Sequence, residues 1–201
     1  MKKSMVFILM VFAVSEVMAY GTGIVSYPWM VSRKAVTAEL SGITSTGGGV
    51  GIQGRYTHKL AEGMIFDAGA GFAGGKRTTR IFVGADFEII PDYAKQPKVS
   101  VKTSFENSKE FKVRRNILSV APTVSKGFNF WGKEAFPFVS LPVGLSLDSK
   151  SKRYETIISA NIGVSGNLPI KGYEKLIGTV EATIKIKDSY TGIFAGVTYP
   201  L

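Results

Sequence analysis

The sequence contains no cysteine and only one histidine, His58, in 201 residues. Without cysteine there is no disulfide framework, no thiolate metal site, no iron–sulfur cluster and no thiol nucleophile. A single imidazole cannot supply a zincin pair or a multi-histidine metal site. Beyond the first nineteen residues no run of eighteen apolar residues occurs, so no helix of bilayer-spanning length is expected. Acidic residues are scarce, 15 against 25 basic, for a net charge of +10. That balance would suit nucleic acid, yet no RNA-recognition, zinc-finger or basic-helix pattern is present. Glycine is abundant at 23 residues, above a background of roughly 7% and without a collagen period. Apolar residues at 45% and aromatics at 11% argue against a disordered chain.

The first nineteen residues read as an export signal. Lys2 and Lys3 make a short positive start, and Met5 to Val14 is an apolar stretch too short to span a bilayer. Val17-Met18-Ala19 then offers small and apolar side chains at a signal-peptidase site. The expected division is a signal peptide over 1–19, an N-terminal segment over 20–33 and one domain over 34–201. Losing Lys2, Lys3 and Glu16 leaves a mature net charge of +9. An exported chain seldom meets nucleic acid, so none is expected as a partner.

From residue 34 onward, apolar side chains recur at every second position in ten segments. Their first members are Val36, Val50, Phe66, Ile81, Val99, Leu118, Val139, Ile158, Val180 and Ile193. Period two is the strand signature, and no comparable window has a period of 3.6. Segments of about nine to twelve residues match a tilted strand crossing a hydrocarbon layer. The opposite face is polar, and no helix or plug segment is available to cover the apolar one. Lipid can cover it, and a closed barrel satisfies every backbone group. The expected fold is all-β, a closed antiparallel transmembrane β-barrel of about ten strands. The alternatives are eight strands, or a soluble lipocalin-like barrel.

The face assigned inward carries Glu39, Arg55, Asp67, Arg80, Asp86, Glu88, Lys102, Glu181 and Lys185. A ring of one sign would suggest ion selection. Mixed signs suggest cross-strand ion pairs filling the lumen. Phe82, Ile117, Ile157 and Phe194 interrupt the polar pattern, as an apolar plug or the lining of a small pocket. Pro122 and Pro142 fall mid-strand, where each removes a ladder donor. They mark either bulges or a weakened seam.

Counting back from Leu201, apolar residues stand at Tyr199, Val197, Ala195 and Ile193. This row resembles the C-terminal assembly signal of Gram-negative outer-membrane proteins, with Leu in place of the usual final aromatic. With the export signal, the chain resembles the small outer-membrane barrels of the OmpA, OmpX and OmpW types, by pattern over 34–201. The resemblance implies an outer-membrane location, insertion by the barrel-assembly machinery through the last strand, and both termini in the periplasm. The connections near 42–48, 74–77, 107–114, 149–153 and 187–190 then face outward. Residues flanking them give a net +8, chiefly from Lys76, Arg77, Lys112, Arg114, Arg115, Lys150, Lys152 and Arg153. Such a rim suits anionic outer-membrane lipid, including lipopolysaccharide phosphates; solvated turns are the plainer reading. Trp29, Trp131, Tyr93, Phe128, Phe130, Phe136 and Tyr173 fall toward the other rim, as an interfacial belt would.

Two glycine runs, Gly49-Val50-Gly51-Ile52-Gln53-Gly54 and Gly69-Ala70-Gly71-Phe72-Ala73-Gly74, match the dinucleotide spacing. That chemistry needs a helix after the glycines, and here strands surround them. Inward glycines in a crowded barrel explain both. His58 lies near the periplasmic rim with no Ser and Asp positioned beside it, and reads as a rim residue. The expected function is structural, with no catalytic residue, cofactor or metal. The rivals are a narrow pore or carrier of small hydrophobic molecules and, third, a lipid-modifying barrel enzyme.

Overall fold

A computed structural model describes residues 33–45, 48–74, 77–130, 133–168 and 170–201. The regular elements among them are all strands: β1 (Lys34–Ile43), β2 (Gly49–Ala61), β3 (Met64–Ala73), β4 (Arg77–Ile90), β5 (Lys98–Glu110) and β6 (Val113–Ser125). The second half follows with β7 (Phe128–Phe130), β8 (Lys133–Ser140), β9 (Val143–Asp148), β10 (Tyr154–Asn167), β11 (Ile177–Lys187) and β12 (Gly192–Pro200). Ten of them close an antiparallel barrel in the order β1-β2-β3-β4-β5-β6-β9-β10-β11-β12. The closing pair, β1 with β12, runs in unbroken register from Ala35↔Pro200 to Ile43↔Gly192. Closure leaves no unpaired sheet edge in the ring.

The two extra strands extend one stave of the barrel. β8 pairs with β6 and β10, the same neighbours that β9 has. The register carries across the gap, from Val120↔Val143 to Thr123↔Ser140. β7 pairs with β8 in a short hairpin at the rim where β1 begins. The gap at Leu141 and Pro142 has a simple cause. Leu141 N–H donates to the Pro122 carbonyl (3.0 Å) and Ser159 N–H to the Pro142 carbonyl (3.1 Å). Neither proline has an N–H to return the bond, so each pair keeps one ladder bond of two. The register does not slip, so these prolines are interruptions and not bulges.

Hairpins set the barrel ends. The loop expected over 107–114 shrinks to two residues, Phe111 and Lys112, with φ of 50° and 66°. Two consecutive left-handed residues form the turn whose twist suits a tight hairpin. Asn or Gly usually takes those places, so the sequence carried no signal for it. β5 and β6 consequently run further toward this rim than their alternating apolar rows suggested.

The alternation resolves into two surfaces. Large apolar side chains point out around the ring, with Phe72 66%, Leu118 60% and Ile193 58% exposed. Charged and hydroxyl side chains point in, and Glu39, Arg55, Asp67, Arg80, Lys102 and Glu181 are all buried. The second glycine run has a packing cause here. A Cβ on Gly69 would stand 2.4 Å from the Phe82 ring, and one on Gly71 2.7 Å from Gln53 Cβ. These glycines make room for side chains that cross the lumen.

Gly69→Val should therefore lower stability by about 1–3 kcal/mol through overpacking against Phe82, measured by urea unfolding of the micelle-bound protein. Gly54→Ala is the matched control. It points outward with nothing within 4 Å of its Cβ position and should leave the transition in place.

Candidate functional site

The barrel interior is where the charged residues meet, so the lumen is the candidate site. Its centre is a layer of ion pairs contributed by the first five strands. Arg55 on β2 holds Glu39 on β1 (3.0 Å) and Asp67 on β3 (3.3 Å). Lys102 on β5 reaches across to the same Asp67 carboxylate. Gln53 donates to Glu39 and accepts from Arg80 Nη1 (2.8 Å). Arg80 Nη2 also donates to Glu106 (2.8 Å). The Phe82 ring lies between two guanidinium groups, 5.3 Å from Arg55 and 4.5 Å from Arg80.

The chemistry of this layer follows from burial. An ionised side chain taken out of water is costly unless another charge and further hydrogen bonds compensate it. Three carboxylates, Glu39, Asp67 and Glu106, here meet three cations, Arg55, Arg80 and Lys102. The set is neutral overall and lines the inner face of the first five strands. A Cβ on Gly84 would meet Asp67 Oδ1 at 2.5 Å, so Gly84 is what lets that carboxylate lie beside Lys102. Further round the ring, Asn161 donates to Glu181 (2.6 Å), and Ser165 shares a hydroxyl bond with Thr179 (2.8 Å).

The inward charges expected from the sequence fall into three groups. Glu39, Arg55, Asp67, Arg80 and Lys102 join in the central layer. Glu88 lies nearer the rim where β1 begins, the N-terminal rim, and pairs with Lys98 (3.0 Å); Asp86 and Glu181 are buried in the wall's inner face. Lys185 is a correction. It pairs with the buried Ser159 and keeps the inward parity, but it stands at the opposite rim and is exposed there. Glu106 and Lys98 belong to the interior although the sequence reading stopped short of them.

Phe82 and Phe194 are buried and Ile117 and Ile157 half-buried. Phe82 is clamped in the charge layer, and Phe194 packs edge-on to Tyr190 (6.5 Å). These two pack against neighbouring side chains.

The opposite rim carries the basic residues. Lys112, Arg114, Lys150, Lys152 and Arg153 are exposed. Arg115 departs from the expectation: it faces inward and bridges β9 to reach Glu155 on β10 (2.7 Å). Lys76 and the Arg77 side chain lie outside the described residues, as do Trp29, Trp131 and the Phe130 side chain. Asp148 accepts from the amides of Lys150 (2.8 Å) and Ser151 (2.9 Å).

At the N-terminal rim, Tyr93, Phe128 and Tyr173 are exposed, whereas Phe136 turns into the barrel. His58 faces outward, edge-on to Tyr56 (6.2 Å), a rim position. A strap closes the turn between β4 and β5. Lys126 donates to the Asp92 carboxylate and to the carbonyl of Ala94 (2.6 Å), and Gly127 N–H donates to Asp92 (2.7 Å). Partial burial pulls the Asp92 carboxyl up, but the Lys126 and Gly127 bonds outweigh it and hold it below the usual range. A cavity of about 520 Å³ opens beside this strap, walled by Asp86, Lys98, Phe128 and Phe136 among others.

Two outcomes are expected from this geometry. Asp67→Asn leaves Arg55 and Lys102 buried with one carboxylate fewer and should destabilise the barrel by about 3–5 kcal/mol. Adding Lys102→Met should restore part of the loss in a double-mutant cycle read by urea unfolding. For Asp92, the strap's stabilisation is complete above the unfolded carboxylate value of about 3.9 and is lost as pH falls through the lower folded value. The Gly127 amide resonance should titrate with a midpoint below about 3.9, and Lys126→Met should move that midpoint up.

No protein-family model matches this chain, and no curated protein sequence matches it either.

Proposed function

We propose that this protein is a structural outer-membrane β-barrel, exported by residues 1–19, with a filled lumen and a basic outer rim that meets anionic lipid. The observation that carries the reading is the inverted polarity of the barrel. Large apolar side chains stand exposed around the whole ring while the charges are buried inside. In water such a surface would far exceed the apolar patches that soluble monomers leave uncovered. Lipid covers it without cost, and the strands, nine to fourteen residues long in the ring apart from the split stave, have the reach to cross a bilayer. A lipocalin-like barrel would need the reverse arrangement, with its apolar face inward around a ligand.

The remaining parts of the reading follow from the same frame. The resemblance in pattern to OmpA-, OmpX- and OmpW-type barrels implies that both termini lie on the periplasmic side. The rim with Lys112, Lys150, Lys152 and Arg153 then faces outward, where lipopolysaccharide phosphates are the available counter-charge. The exposed Tyr199 on β12 and the terminal Leu201 present the alternating last strand to the assembly machinery. The central ion-pair layer favours a structural role over a pore, because the charges at that level are paired and buried.

Membrane fractionation should recover the mature chain, beginning at Tyr20, in the outer membrane, with a gel mobility that changes on boiling. Recovery as a soluble periplasmic monomer would overturn the reading. Tyr199→Asp puts a charge on the lipid-facing row near the rim and should reduce the inserted fraction by up to several-fold, as a cost of up to about 1 kcal/mol near the interface implies. In planar bilayers the protein should conduct poorly; a steady, large conductance would make transport the function instead.

A further inference from the structure

The cavity at the N-terminal rim has features that the structural reading does not use. Its wall holds five carboxylates, Glu62, Asp86, Glu88, Asp92 and Glu134, and two ammonium groups, Lys59 and Lys98. That is a local excess of negative charge in a chain whose net charge is +10. Three of the carboxylates are already engaged: Glu62 by Lys59 (2.8 Å), Glu88 by Lys98 (3.0 Å) and Asp92 by Lys126.

Asp86 differs from these. It is only 6% exposed, and its Oδ1 has no hydrogen-bond donor among the described residues. Lys102, opposite it in the β4–β5 register, is drawn to Asp67, and Lys98 is held by Glu88. A buried carboxylate oxygen without a donor is costly. A ligand that brings both N–H donors and positive charge removes that cost.

The class of ligand follows from the rest of the wall. A hard metal ion wants several oxygen ligands, and the described residues hold no cluster of three or more acidic or histidine side chains able to supply them. Phe128 and Phe136 line the same cavity, and aromatic faces attract organic cations. A volume of about 520 Å³ falls within the range of small-molecule sites. We propose that this cavity binds a small organic cation of the alkylammonium class. The ammonium group pairs with the Asp86 carboxylate where it lines the cavity, and the carbon chain lies against Phe136 and Phe128. The site needs neither an open lumen nor a particular membrane, so it stands apart from the structural reading above.

The test is calorimetric titration of spermidine into the full-length mature chain folded in detergent micelles, with magnesium chloride at matched ionic strength as the comparison. Saturable spermidine binding is expected. Asp86→Asn should weaken it about ten-fold or more, the loss of a buried charge-assisted bond. Phe136→Leu should weaken it several-fold, and Asp148→Asn on the opposite rim should leave it unchanged. Boiling-dependent gel mobility checks that each variant is folded. If Asp86→Asn fails to fold, Phe136→Leu and competition by magnesium decide the matter. Absence of saturable binding to the parent protein would overturn the proposal. So would equal binding by the folded Asp86→Asn protein, no loss of affinity in folded Phe136→Leu, or displacement of spermidine by magnesium at the same ionic strength.

Discussion

The Asp67 carboxylate, held between Arg55 and Lys102, is the contact on which the rest of the barrel depends. A barrel with its apolar side chains outside has no oily core to collapse around. Its interior must be made from groups that resist leaving water, and they are tolerable there only when paired. Pairing between strands two apart requires long side chains to pass over the strand between them, which explains where the glycines fall. Gly69 and Gly84 each face a side chain that would collide with an added Cβ. Strand positions that would ordinarily weaken a sheet are thus what lets the charged layer assemble.

Period-two alternation made the closed barrel and most of its inner face legible in the sequence. Parity alone identified Glu39, Arg55, Asp67, Arg80 and Lys102 as companions, because on each strand a one-residue slip would turn its own member outward. The same parity, carried four residues further along β5, would have reached Glu106. The expected loop over 107–114 ended the count too early. Lys185 failed for a different reason. It keeps the inward parity opposite Ser159 but lies near the end of β11, and alternation within one strand says nothing about where the rim leaves a side chain in the open. The Arg115–Glu155 pair was equally out of reach, since it joins strands with β9 between them.

The two ends of the barrel are built on opposite principles. At the N-terminal rim, three carboxylates are each closed off by a lysine, and the cavity there keeps an excess of acid. At the other rim, basic residues stand exposed on turns, with Asp148 occupied by its own backbone amides and Glu155 by Arg115. Between them lies a layer of balanced charge. The acid excess is confined to the cavity at one end, whereas the basic residues at the other stand on exposed turns.

The prolines bear on whether the wall itself is continuous. Pro122 and Pro142 each delete one ladder bond, in adjacent seams and at the same height, the arrangement that would weaken a wall most. The interior side of that spot is nonetheless occupied. Thr123 donates to Ser140 (2.9 Å) one step along the same seam. Phe138 is buried at 2% exposure, and a Cβ on Gly163, its partner on β10, would stand 2.5 Å from its ring. A large ring over a glycine fills the space behind the interrupted stave, just as Phe82 over Gly69 does in the central layer. The missing backbone bonds are thus backed by side-chain packing, and the seam stays closed for the same reason as the lumen.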